Sequence, residues 1–147
     1  MTPDLRLRPA TAADVLSVWR WRNDPESRAA SRRSEEVPYS THEAWFARVL
    51  ADSDHTLLIA TTGEGETIGM VRLDPLRGGE TEISINVAPE WRGRGAGTEL
   101  IRQLVQREPG RRLVAEVRPE NLRSVRLFER CAFTRRGEAD GMIVFER

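Results

Sequence analysis

The chain has 147 residues, enough for one domain with a single core, and its 23 basic and 23 acidic side chains cancel. A balanced charge offers no general pull toward nucleic acid or a membrane surface, and no apolar run approaches the roughly 20 residues that cross a bilayer. One cysteine excludes an internal disulfide, and two histidines with one cysteine argue against a zinc site.

In chain order, Leu5 and Leu7 alternate with Arg6 and Arg8, which predicts a short strand. Thr11-Ala12-Ala13-Asp14 reads as a capping box with Asp in place of Glu, and Val15, Leu16 and Trp19 give the following helix an apolar face. Asp24-Pro25 is expected to end it, because the residue before proline is pushed out of the helical region. Residues 28–37 are polar and irregular. Ser40-Thr41-His42-Glu43 is a second capping box, followed by Ala44, Trp45, Val49 and Leu50 at helical spacing.

Strands follow over 56–61 and 67–73, joined at Gly63-Glu64-Gly65-Glu66, and a Gly78-Gly79 turn leads to a strand over 81–87. In that strand Ile83, Ile85 and Val87 share one face, and Glu82, Ser84 and Asn86 the other. A glycine-rich turn leads into a helix that ends near Pro109-Gly110. A strand over 113–117, a helix over 121–130, and a hairpin of 134–138 and 142–146 complete the chain. The expected order is strand, two helices, three strands, helix, strand, helix, two strands.

The turn Arg92-Gly93-Arg94-Gly95-Ala96-Gly97-Thr98 is the most informative segment. A glycine-rich passage from a strand into a helix N-terminus exposes backbone N–H groups and a positive dipole end, which suits a pyrophosphate. It is not a P-loop, because the chain has no lysine, and the G-x-G-x-G run is not a dinucleotide fingerprint.

Behind a strand ending Val87-Ala88-Pro89-Glu90, with Arg92, Gly95 and Gly97 matching Arg/Gln-x-x-Gly-x-Gly/Ala, this segment resembles the coenzyme A loop of the GNAT family of N-acetyltransferases. The resemblance covers essentially the whole chain. It implies an α/β (α+β) fold: one domain over residues 1–147, a mixed sheet of about seven strands flanked by four helices, splayed between strands 4 and 5. It implies acetyl-CoA as acyl donor, no metal, a small amine as acceptor, no nucleic-acid or membrane partner, a monomer or homodimer, and a cytoplasmic location.

The family roles carry over position by position. N–H groups from Arg92 to Thr98 hold the pyrophosphate, and backbone at Ile85, Asn86 and Val87 holds the pantetheine and polarises the thioester. Asn121 matches an asparagine that contacts coenzyme A and is also suited to cap its helix. Ser124 and Phe128 border the same cofactor. Two glutamates compete as the base that deprotonates the amine. Glu82 matches the family's strand-4 glutamate, acting through a water. Glu116, five residues before Asn121, resembles the glutamate of the ribosomal-protein N-terminal acetyltransferases.

Leu127-Phe128-Glu129-Arg130-Cys131-Ala132-Phe133 departs from the family's Leu-Tyr-Glu-Lys-x-Gly-Phe. Phe128 lacks the hydroxyl that would protonate the leaving thiolate, although a thiol pKa of roughly 8.5 lets the thiolate leave with help from water, Ser124 or Tyr39. Cys131 is read as filling the usual glycine position.

Trp19-Arg20-Trp21-Arg22-Asn23-Asp24 resembles the opening of sugar-nucleotide N-acetyltransferases of pseudaminic-acid biosynthesis. That implies an amino sugar or sugar nucleotide as acceptor, with Arg22, Asn23, Tyr39 and His42 as binding residues. Arg28, Arg32 and Arg33, with Trp21 and Trp45, are further candidates for its diphosphate and rings. The alternatives are an antibiotic, amino acid or protein N-terminus as acceptor, a longer acyl-CoA or acyl carrier protein as donor, or an acyl-CoA-binding module without turnover.

Overall fold

The computed structural model describes residues 4–147. Seven strands form one sheet in the order β1-β2-β3-β4-β5-β7-β6. They are β1 (Leu5–Pro9), β2 (Thr56–Thr62), β3 (Thr67–Pro75), β4 (Glu80–Val87), β5 (Arg112–Val117), β6 (Thr134–Ala139) and β7 (Met142–Glu146). Every neighbouring pair is antiparallel except β4 and β5, which run parallel. The α-helices are α1 (Val15–Asn23), α2 (Pro25–Ala30), α3 (Tyr39–Ala51), α4 (Ala96–Arg107) and α5 (Leu122–Arg130).

The alternation read along β4 divides the core in two. Ile83, with Ile85 and Val87 beside it, packs with Leu100, Ile101 and Leu104 of α4 and with Val125 and Phe128 of α5. On the other face Leu57, Ile59 and Met70 meet Val18 and Trp21 of α1 and Phe46 of α3. Leu100, Ile101 and Leu104 are wholly buried, each worth about 1.5–3 kcal/mol of transfer free energy.

Three local expectations are corrected. Five α-helices replace the expected four, because Asp24-Pro25 starts a helix as well as ending one. The Asp24 carboxylate accepts from the Ser27 N–H at 3.1 Å, and Pro25 fills the first helical position, where its missing N–H has no partner to lose. The Ser40 capping box does not form. Helix α3 begins at Tyr39 with Pro38 before it, so residues 40–43 already lie within its first turns.

At the end of α5 the left-handed residue is Ala132, at φ 67°, while Cys131 has φ −90°. The glycine slot of the family pattern therefore falls on Ala132, one residue later than expected. Ala132 is held there because the Phe133 N–H reaches back to Phe128 O at 3.0 Å, closing the helix end.

Candidate active site

The site begins where β4 and β5 part. Their pairing runs through Glu80–Arg112, Thr81–Leu113 and Glu82–Val114, then stops. Beyond it β4 stays on β3, with Ile85 opposite Val71 and Val87 opposite Gly69, while β5 stays on β7, with Glu116 opposite Val144. The backbone of 83–87 thus has a free edge facing a gap, which is the expected splay. Ile85, Asn86 and Val87 are half-buried along it.

At the end of β4 a short 3-10 turn (Pro89–Trp91) leads into residues 92–95 and then α4. Gly95 adopts φ 83°, ψ 3°, a left-handed conformation that costs a branched residue dearly and turns the chain into the helix. Gly97 lies against α5, where an added Cβ would come within 3.0 Å of the Leu127 side chain. Among the described residues, no acceptor is found for the N–H groups of Gly93 through Thr98. A row of open donors at the positive end of a twelve-residue helix is an anion site in waiting.

The two loop arginines do different things. Arg94 lies over the Trp91 ring, 3.9 Å from its centroid, and donates to Glu90 O. Arg92 turns away from the loop. Its Nε donates to Val87 O at 3.0 Å, Nη1 to Asp24 at 2.6 Å and Glu26 at 2.9 Å, and Nη2 to Ser27 Oγ at 2.9 Å and Asn86 Oδ1 at 3.4 Å. Ser27 Oγ in turn donates to Asn86 Oδ1 at 3.0 Å. The Arg92 side chain therefore fastens the loop to the α1–α2 junction, and its backbone N–H is bonded to Pro89 O at 3.3 Å, so the row of open donors expected from Arg92 onward begins one residue later, at Gly93. Burial alone pushes the Asp24 carboxyl up, but the bonds from Arg92 and Ser27 carry it below its ordinary value.

Replacing Arg92 with Met should cost about 1–3 kcal/mol, because it leaves the Asp24 carboxylate, 16% exposed, without its cation. Urea unfolding measures this, and an unchanged midpoint would mean that the contact carries no stability.

The face of the sheet away from α4 and α5 packs against α1 and α3. Leu113, Ala115 and Val117 of β5 point to the α4–α5 core, so Glu116 points to the opposite face, the side on which Glu82 lies on β4. Glu82 sits at the last paired position before the gap, half-buried and free of ion pairs among the described residues. Glu116 is paired with Arg32, and its Oε2 is closed off from solvent. Arg118, just past β5, donates from Nε to Ser31 O at 2.7 Å and from Nη2 to Arg32 O at 2.9 Å. Helix α2 and the residues after it thus bridge the two arms of the splay, through Ser27–Asn86 on one and Arg32–Glu116 on the other.

On α5, Asn121 Oδ1 accepts the Ser124 N–H at 3.3 Å, so the asparagine does cap its helix. Phe128 is 6% exposed and packs against Phe133 and Phe145 with centroids 5.1 and 5.8 Å away. It belongs to the core, and its ring is not presented to the gap.

The N-terminal candidates mostly hold the segment 31–37 in place. Asn23 donates from Nδ2 to Val37 O and accepts the Val37 N–H at Oδ1, both at 2.8 Å, so both ends of its amide are engaged by Val37. Arg22 donates from Nη2 to Arg33 O at 3.1 Å, and its Nη1 is shut away from solvent. His42 is buried at 3% exposure between Trp45 and Phe46. Burial, aided by the Arg22 cation and opposed by a hydrogen bond to the Val15 backbone, holds its pKa below the ordinary value, which favours the neutral ring at pH 7.

Tyr39 stands exposed at the start of α3, edge-on to Trp19. Trp21 is in the core, and Trp45 carries Arg72 over its ring. Neither offers a free aromatic face at the splay. The residues that sequence reasoning did not single out for their observed contacts are Asp24, Ser27 and Arg118, together with Arg32 as the partner of Glu116.

Among the described residues no group of three or more His, Cys, Asp or Glu side chains is placed to hold a metal, and no helix is long and apolar enough to cross a membrane.

The fold is shared with solved acetyltransferases. Spermidine N-acetyltransferase from Vibrio cholerae, solved with CoA and spermine, superposes with a TM-score of 0.83 over 97% of this chain and 93% of that one, at 19% identity. Aminoglycoside acetyltransferase AAC(6')-Ib, solved with coenzyme A, gives 0.81 over the same shares at 24% identity. By sequence, the chain is similar to an L-methionine sulfoximine/L-methionine sulfone acetyltransferase of Pseudomonas paraeruginosa, 29% identical over 142 residues, 90% of this chain and 81% of that protein. A family profile described as "Acetyltransferase (GNAT) domain" matches residues 4–134. The splayed sheet, the open donor loop and this match together establish that the chain belongs to the GNAT family of N-acetyltransferases.

Proposed function

We propose that residues 1–147 act as one domain that transfers an acetyl group from acetyl-CoA to the primary amine of a small molecule, in a ternary complex. The observation that carries this reading is the row of open N–H groups from Gly93 to Thr98 at the end of the strand that borders the splay. The pyrophosphate lies on those groups, and the pantetheine arm runs along the free edge of Ile85, Asn86 and Val87. Asn121 and Ser124 border the same arm. The amine nitrogen attacks the thioester carbon, the C–N bond forms, the C–S bond breaks, and the thiolate departs. A β4 N–H stabilises the developing oxyanion. Glu116 receives the amine and its proton, and Glu82, at the apex of the gap, is the alternative base through a water.

The acceptor as an amino sugar or sugar nucleotide is supported by the sequence of the Trp19–Asp24 opening alone, because Arg22, Arg28 and Arg32 are each engaged within the chain. A second reading, an α-amino acid or its analogue, is favoured by the Pseudomonas relatives, whose names give methionine sulfoximine and methionine sulfone as acceptors. It is also favoured by the charged surroundings of Glu116, where Arg32 pairs with it and Arg118 holds the carbonyls of Ser31 and Arg32.

Calorimetric titration with acetyl-CoA tests the donor site. Thiol release from acetyl-CoA across a panel of amino sugars, amino acids and polyamines tests the acceptor. Donor binding with turnover of one class is expected, and absence of acetyl-CoA binding would discard the reading.

A further inference from the structure

The carboxylate best placed to meet an amine is already occupied. Glu116 pairs with Arg32, and its Oε2 has no solvent access. An ammonium that takes the Oε2 side of this carboxylate displaces the Arg32 guanidinium. Arg32 is exposed, 57% along its side chain, but anchored at its base, because Arg118 holds the carbonyls of Ser31 and Arg32. Once displaced, the guanidinium stays beside the acceptor as a cation without its partner.

A plain amine breaks this ion pair and restores only half of it. A molecule carrying an ammonium and a carboxylate one carbon apart restores both halves, and no charge is left unmatched.

We propose that Arg32 holds at Glu116 the place of the acceptor's ammonium, and that the acceptor is a small zwitterion of the α-amino acid class, which inserts into the Arg32–Glu116 pair with its ammonium on Glu116 and its carboxylate on Arg32. This rests on the reading above that Glu116 faces the acceptor amine. Arg32 is then a specificity-determining residue and Arg118 a positioning residue that keeps it in reach.

The test uses the full chain, acetyl-CoA, and two probes that differ only in the anion: L-methionine sulfone and its carboxamide. In wild type the amino acid is expected to have the lower KM. In Arg32→Gln its KM should rise by about two- to fivefold, the scale of losing one partly exposed charge pair. The KM of the carboxamide should stay level or fall, because the competing guanidinium is gone. The KM of acetyl-CoA should not move. Arg32→Lys should recover part of the loss, and Arg107→Gln, an exposed charge removal on α4, should leave every value unchanged.

A parallel change for both probes in Arg32→Gln overturns the proposal, as does a wild type that binds acetyl-CoA but acetylates neither probe. A wild type that does not bind acetyl-CoA instead overturns the donor reading on which the proposal rests.

Discussion

Glu116→Gln is expected to lower kcat/KM for the acceptor by about 10²–10³, with the affinity for acetyl-CoA unchanged. Glutamine keeps the shape of the side chain and its place opposite Val144 on β7, but it neither accepts a proton nor balances an ammonium. The loss will not reflect unfolding. The pair with Arg32 is more than half exposed at its arginine end, and such pairs contribute at most about 1 kcal/mol. Glu82→Gln should have the smaller effect, since Glu82 lies at the closed apex of the splay, where the strands are still paired. Single-turnover rates of both variants decide between them. A larger defect in Glu82→Gln would reverse the assignment, and two unaffected rates would remove both glutamates from the chemistry.

Gly95→Val is expected to weaken acetyl-CoA binding by about 10- to 100-fold, the equivalent of roughly 1–3 kcal/mol. The native φ of 83° is hostile to a branched side chain, so the turn must relax. Relaxation displaces the open N–H groups of residues 93–98 on which the pyrophosphate is proposed to rest. Gly110→Val supplies the control: it has a comparable φ of 78°, but it sits at the opposite end of α4. It should cost stability and leave donor affinity unchanged. If both variants bind acetyl-CoA like wild type, the pyrophosphate does not rest on this turn.

Arg92 illustrates the difference between reading a motif and seeing its geometry. Its position in the glycine loop suggests a phosphate ligand. Its guanidinium instead meets Asp24, Glu26 and Ser27, which are 68, 66 and 65 residues away in the chain. No local pattern encodes such a meeting. Pro25 is a milder case, because one residue type both stops a helix and occupies the first turn of the next. The Asp24 carboxylate, freed from α1 and turned back onto the Ser27 N–H, decides between those outcomes. Cys131 and Ala132 differ by a single residue, and only the backbone shows which of them takes the left-handed turn.

From the sequence alone come the element order, the two-faced alternation of β4, the glycine turn and the helix after it, and hence the family and the donor loop. These are local properties: periodicity sets which side chains share a face, and a tight turn of positive φ favours glycine. The tertiary structure alone decided the rest. It ended the β4–β5 pairing at Glu82–Val114, spent Asn23 and Arg22 on the backbone of residues 33–37, buried His42, and set Arg32 on Glu116. Each depends on groups far apart in the chain being brought within bonding distance. The contact energies involved are small and non-local, and only the packed sheet and helices determine which of them form.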